Sequence, residues 1–208
     1  MSASCCDDKH ASHLHEGVVR TKRVLWAVLI INLVMFGVEV GAGFIAGSVA
    51  LQADALDFLG DAGNYLLSLF VIGMSLRTRA RTALFKALTM GVFGLWVIGT
   101  TIFHAVAGIV PEPLTMGVVG LCALLANAVC FGLLWSYRAA DANMRSAWIC
   151  TRNDVVGNSA VLLAALGVFG TGAWWPDVIV AAIMASLALQ GSIIVLLQSR
   201  SELRMAGA

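Results

Sequence analysis

Six apolar runs, each long enough to cross a bilayer, follow one another along this chain with only short polar connections between them. They cover roughly 24–46, 48–76, 87–110, 114–137, 146–170 and 175–197, and a membrane-spanning helix needs about 20 apolar residues. The chain is 60% hydrophobic and 12% charged, half the charge of an ordinary soluble domain at about 25%. That balance excludes most water-soluble folds, and it excludes disorder, which needs a polar, charge-rich chain. The expected fold is an all-α membrane protein of six transmembrane helices. It divides into a polar tail at 1–23, a six-helix domain at 24–198 and a short tail at 199–208.

The connections agree with this reading. Ala46-Gly47-Ser48, Pro111-Glu112-Pro113 and Gly170-Thr171-Gly172-Ala173 separate the runs in pairs. Ser48 is placed to cap the second helix, and Pro176 suits the first turn of the sixth, where its missing N–H costs nothing. Charge then orients the spans. All 13 basic residues, from Lys9 to Arg204, fall on one side of a six-span arrangement, Lys86 being taken as part of the connection before the third span. The opposite connections carry only Glu112 and Asp177. The excess of Lys and Arg in cytoplasmic loops therefore predicts a multi-pass cell-membrane protein with both termini in the cytoplasm. Trp26, Trp135, Tyr137 and Trp148 fall near the inner ends and Trp174 and Trp175 at the outer end, as interfacial aromatics should. The first run is too long for a cleaved signal peptide, contains Glu39 and is followed by five more spans. Cys5, Cys6, Cys122, Cys130 and Cys150 are an odd set without framework spacing, which argues against a disulfide-stapled module.

Acidic residues at bilayer depth carry the functional signal, since each costs at least ~2.5–3.5 kcal/mol on insertion scales. Five qualify: Glu39, Asp54, Asp57, Asp61 and Asp154. Asp57 and Asp61 are four apart and share a helix face, with Asp54 and Asn64 on the same stripe. No basic residue shares that span, and carboxylates this close cannot all stay ionised unless something cationic sits among them. Cys150 and Asp154 form a matching pair on the fifth span, which runs opposite to the second, an arrangement similar to the inverted repeats of transporters. At a rise of 1.5 Å per residue, Asp57 lies about 14 Å and Asp61 about 20 Å below the outer face, with Cys150 about 9 Å and Asp154 about 15 Å from the inner face. In a core about 30 Å thick, Asp154 is then level with Asp57 and Cys150 with Asp61. Two carboxylates facing a thiolate and a third carboxylate suit a four-coordinate divalent transition metal. All four must be deprotonated to bind, so metal entry would release protons.

The stretch Gly47-Ser48-Val49-Ala50-Leu51-Gln52-Ala53-Asp54-Ala55-Leu56-Asp57-Phe58-Leu59-Gly60-Asp61-Ala62 resembles the second-helix signature of the cation diffusion facilitator family. Cys150-Thr151-Arg152-Asn153-Asp154-Val155-Val156-Gly157-Asn158-Ser159 is similar to its fifth-helix signature, where the family usually has His and Asp four apart. Glu39 and Asn127 fit helices one and four of that pattern, and the resemblance covers about residues 20–198. It implies secondary active transport of divalent metal ions out of the cytoplasm by proton antiport, usually as a homodimer. Carried over by position, Asp57, Asp61, Cys150 and Asp154 form the transport site. Cys150 stands where the family has histidine, and sulfur leans towards Zn²⁺ or Cd²⁺ while oxygen-rich sites lean towards Mn²⁺, Fe²⁺ or Co²⁺. The family's cytoplasmic metal-binding domain after helix six is absent from this chain, which is therefore expected to be a short form.

Other residues leave alternatives open. Glu39 and Asp54 either line the outward path or bond to each other. Arg152 either snorkels inward or pairs with Asp141. Cys5, Cys6, His10, His13 and His15 either capture metal at the cytoplasmic entrance or form a solvated terminus. His104 and the glycines Gly37, Gly41, Gly91, Gly94, Gly99 and Gly108 are expected at close helix contacts, and Cys122 and Cys130 as small buried fillers. No nucleophile–base pair and no His-Glu-x-x-His motif occurs, so no enzyme is expected, and the scattered basic residues give no nucleic-acid surface. A non-transporting membrane metal binder or sensor, holding a structural ion at the same cluster, is the rival reading.

Overall fold

The computed structural model describes the backbone of residues 4–70, 75–136 and 142–205, and the side chains of 21–70, 75, 77, 78, 80–136, 151 and 154–205. The described chain forms six helices: α1 (Ser4–Ala46), α2 (Val49–Phe70), α3 (Leu76–Ala107), α4 (Pro113–Trp135), α5 (Ala142–Thr171) and α6 (Trp175–Met205). Five are long and apolar enough to cross a membrane. Only α2 falls short, because Gln52, three aspartates and Asn64 interrupt its 22 residues. The side chains facing outward are those lipid requires, among them Ile45, Val106 and Phe169, all more than three-quarters exposed. This is an all-α, multi-pass membrane protein.

The three short turns at one end use the same device. Gly47, Gly108 and Gly172 take φ of 64°, 65° and 61°, a left-handed conformation that only glycine adopts without steric cost. Gly108 is thus the C-cap of α3 rather than a helix contact. Ser48 caps α2 as expected, accepting the Leu51 N–H at 3.1 Å. Pro176 lies in the first turn of α6, and Pro113 opens α4 behind an N-cap at Glu112.

The largest departure from expectation is at the start of α3. The helix begins at Leu76, behind a Ser75 N-cap that accepts from the Thr78 N–H at 3.3 Å, and not near residue 87. Hydropathy registers where lipid begins, whereas Arg, Ala, Leu and Lys are all strong helix formers that extend a helix beyond it. Lys86 therefore sits inside α3, within a stretch long and apolar enough to span a membrane.

α2 is the central element, packed against α1, α3, α5 and α6, while α3 lies along α6 and α4 along α5. Residues Val49 to Leu56 of α2 are all buried. With them Val97, Met116, Val161, Ala181 and Ala185 form the main core, and a second cluster of Leu25, Val28, Tyr65 and Leu134 lies towards the other end. Between helices already in lipid, close packing and hydrogen bonds hold the bundle rather than water exclusion. Gly94 and Gly91 provide such packing, since a Cβ there would stand 2.8 Å from Leu189 and 2.9 Å from Ser192 of α6. The Ser192 hydroxyl also donates to the Ala87 carbonyl across the same seam at 2.7 Å. Gly37, Gly41 and Gly99 instead face open space, so small residues on a span do not by themselves mark a contact. Cys130 is buried beside Asn32, but Cys122 is exposed on the flank.

Candidate functional site

Burial changes character halfway along α2. Beyond Leu56 the helix meets a cavity of about 300 Å³ between α2, α3, α5 and α6. Asp57, Asp61 and Asn64 of α2, Asp154 of α5, Lys86 of α3 and Ser192 of α6 line it. Asp57 and Asn64 are partly exposed, and the cavity lies on the side of the buried stretch Val49–Leu56 that leads towards Arg81 and Arg200. At the opposite end the bundle is shut. There the Asp177 carboxylate, in the first turn of α6, accepts from the Ser48 hydroxyl at 2.7 Å, the Val49 N–H at 2.9 Å and the Ala50 N–H at 3.1 Å. An anion at a helix N-terminus satisfies donors that have no partner within the helix. The Glu112 N–H, donating to the Ala46 carbonyl at 2.8 Å, ties the next turn to the same place.

Three of the four expected site residues, Asp57, Asp61 and Asp154, line this one cavity. The carboxyl groups of Asp61 and Asp154 are within hydrogen-bonding reach of each other. Tyr65 donates its hydroxyl to Asp61 Oδ2 at 3.0 Å and shares a 2.7 Å hydrogen bond with Thr151. Gly157 leaves room for Asp57, whose Oδ2 would lie 3.7 Å from a Cβ placed there. Asp57 thus faces Gly157, Asp61 faces Asp154 and Tyr65 faces Thr151, the succession of two antiparallel helices. Asp154 is level with Asp61, one turn from the expected match with Asp57. Counting residues from helix ends assumes that both helices start on one plane, whereas side-chain packing sets how far they slide. The side chain of Cys150, one turn from Asp154 on α5, lies outside the described residues. Among the described residues, no three His, Cys, Asp or Glu side chains are already gathered into an ion site.

Glu39 and Asp54 are both fully buried, and their carboxyl groups adjoin. Two carboxyl groups bond only through a proton that one of them carries, and neither finds another partner among the described residues. Of the two expectations for this pair, mutual bonding is the one the geometry matches. Asn127 is buried on α4, its side-chain oxygen without a hydrogen-bond partner among the described residues. His104 stacks edge-on against Phe103, with its Nδ1 buried. Cys5, Cys6, His10, His13 and His15, and the Arg152–Asp141 pair, have side chains outside the described residues.

Comparison with known proteins bears on the whole bundle. The family model of the cation efflux transmembrane domain matches residues 25–204. The chain belongs to the cation diffusion facilitator family. The zinc transporter ZitB of Escherichia coli (strain K12) is 29% identical over 210 aligned positions, covering 93% of this chain and 65% of that protein. ZitB of Yersinia pestis is 28% identical over 197 positions, covering 88% and 62%. The human proton-coupled zinc antiporter SLC30A8 is 28% identical over 152 positions, covering 63% and 41%. The chain spans a little under two thirds of the length of the ZitB proteins it matches.

In this member of the family, one cavity residue has no counterpart among the expected site residues: Lys86. Its stem crosses Gly63, where a Cβ would stand 2.9 Å from Lys86 Cδ, and its ammonium donates to Asn64 Oδ1. The cationic partner that the acidic stripe demands therefore comes from the neighbouring helix. The available signal was the spacing of a glycine and an asparagine just beyond Asp61, which becomes legible only when α3 is known to start early.

Proposed function

We propose that this chain is a proton-coupled secondary transporter that carries divalent transition-metal ions, Zn²⁺ or Cd²⁺ in preference to Co²⁺, Fe²⁺ or Mn²⁺, out of the cytoplasm. One observation carries the reading: acidic side chains from two antiparallel helices line one cavity, which the buried stretch Val49–Leu56 and the Asp177 contacts close off from the Ser48 end of the bundle. The names of the ZitB and SLC30A8 relatives support zinc as cargo and protons as the exchanged ion. In this reading the basic end is cytoplasmic, both termini lie there, and the protein works as a homodimer without any catalytic step.

Asp57, Asp61, Cys150 and Asp154 are the proposed ligands, closing tetrahedrally on the ion near the midplane. Carboxylates and a thiolate bind metal only when deprotonated, so loading from the cytoplasm releases protons. Rocking of the helices then breaks the Asp177 contacts and opens the Ser48 end, where incoming protons displace the ion. The test is metal flux into proteoliposomes under an imposed pH gradient, for Zn²⁺, Cd²⁺, Co²⁺ and Mn²⁺. Wild-type protein should move Zn²⁺ or Cd²⁺ in proportion to the gradient, and Asp61→Asn and Asp154→Asn should express normally but move neither. Wild-type flux in either variant would overturn the site, and stoichiometric binding without flux would favour a sensor.

A further inference from the structure

We infer that Lys86 is a tethered counter-cation of the transport site, whose ammonium competes with the metal ion and keeps binding weak enough for release. The inference rests on the transport reading above. Lys86 lines the same cavity as Asp57, Asp61 and Asp154, and its ammonium is held there by Asn64, one turn from Asp61 on α2. Its approach is built into the packing. Gly63 supplies the space for the stem, and Asn64 supplies an oxygen acceptor at the cavity wall. A side chain at 63 would crowd the stem and force it to shift, and without an acceptor the ammonium would have little reason to stay.

A cluster of carboxylates in a low-dielectric bundle repels itself when empty. A lysine at its edge relieves that repulsion without filling the cluster, because an ammonium on a flexible four-carbon stem can withdraw as another cation enters. The same charge then opposes a dication in the cavity, so the empty site gains stability and the loaded one loses it. Both effects reduce the difference in free energy between the two, which is what a carrier that must release its cargo needs. A site that only stored an ion would gain nothing from a cation held beside it.

The test is equilibrium Zn²⁺ binding to the full chain in nanodiscs, by competition with a chromophoric chelator at fixed pH, for wild type, Lys86→Met, Lys86→Gln and Lys86→Arg. Removing the charge should tighten binding about tenfold or more, the scale on which a unit charge within ~10 Å acts on a dication at an effective dielectric of ~20–40. In proteoliposomes the same variants should show a lower KM together with a lower kcat, and Lys86→Arg should stay near wild type in both assays. If Lys86→Met does not fold, Lys86→Gln decides. Unchanged or weaker binding in the neutral variants, or equal tightening in Lys86→Arg, overturns the inference and leaves the transport reading standing. If wild type binds no Zn²⁺, the transport reading fails first, and this inference falls with it.

Discussion

Removing the carboxylate of Asp177 tests what holds the bundle shut at the Ser48 end. Asp177→Ala strands three donors at once: the Ser48 hydroxyl and the Val49 and Ala50 N–H groups. Both Ser48 and Asp177 are at most 1% exposed, so water cannot readily replace the lost acceptor. A buried donor left unsatisfied costs about 1–3 kcal/mol, and loss of an anion at a helix N-terminus adds about 0.3–1 kcal/mol. Against this, the variant no longer buries a carboxylate, and the Ser48 hydroxyl is free to rotate towards another acceptor. A net loss of about 3 kcal/mol is expected, roughly a hundredfold in the opening equilibrium at about 1.4 kcal/mol per decade. Two assays read it: unfolding in mixed micelles with increasing SDS, and hydrogen exchange at the Val49 and Ala50 amides, whose acceptor is Asp177. Asp177→Asn, which keeps one acceptor oxygen, should fall between Ala and wild type. Wild-type exchange at those two amides in Asp177→Ala would refute the reasoning, whatever happened to global stability.

Two further substitutions and one pH dependence follow from the packing. Gly94→Val should cost about 1–3 kcal/mol in the same unfolding assay by forcing Leu189 and the α3–α6 seam apart, while Gly99→Ala, facing open space, should be neutral or stabilising by up to about 1 kcal/mol; a larger loss at Gly99 would contradict the assignment. Hydrogen bonds from the Thr115 side chain and from the Thr115 and Leu114 N–H groups hold the Glu112 carboxyl below the usual glutamate range, with desolvation acting in the opposite direction. A depressed folded value means that Glu112 stabilises the α4 N-terminus fully above the ordinary glutamate value of about 4.3, and that this is lost as pH falls through the folded value. The stability difference between wild type and Glu112→Gln should therefore shrink in acid, and a difference that grows there would reverse the sign.

Much of this architecture is written in one dimension. A run of apolar residues has one stable form in lipid, because every backbone N–H and C=O must find its partner within the helix. Six runs therefore meant six helices, and Gly47, Gly108 and Gly172 end or follow them where a left-handed residue is needed. The acids at 54, 57, 61 and 154 were legible because charge in an apolar run is costly enough to require a reason. Four-residue spacing then put Asp57 and Asp61 on one face without any knowledge of neighbours.

Relations between helices were not written there. The slide of α5 along α2, which sets Asp154 against Asp61 and Thr151 against Tyr65, depends on which side chains interlock, and Gly157 matters only once Asp57 is seen beside it. Of the six glycines expected at close contacts, the packing of α3 on α6 selected Gly91 and Gly94. The neighbour of the acidic stripe was likewise a tertiary matter. Hydropathy placed Lys86 in a connecting loop, because a lysine lowers the apolar average wherever it falls. The fold places it within α3, its stem over Gly63 and its charge in the cavity. Local sequence encodes which backbone conformation satisfies its own hydrogen bonds; which charges face each other depends on surfaces that meet only after the helices have formed.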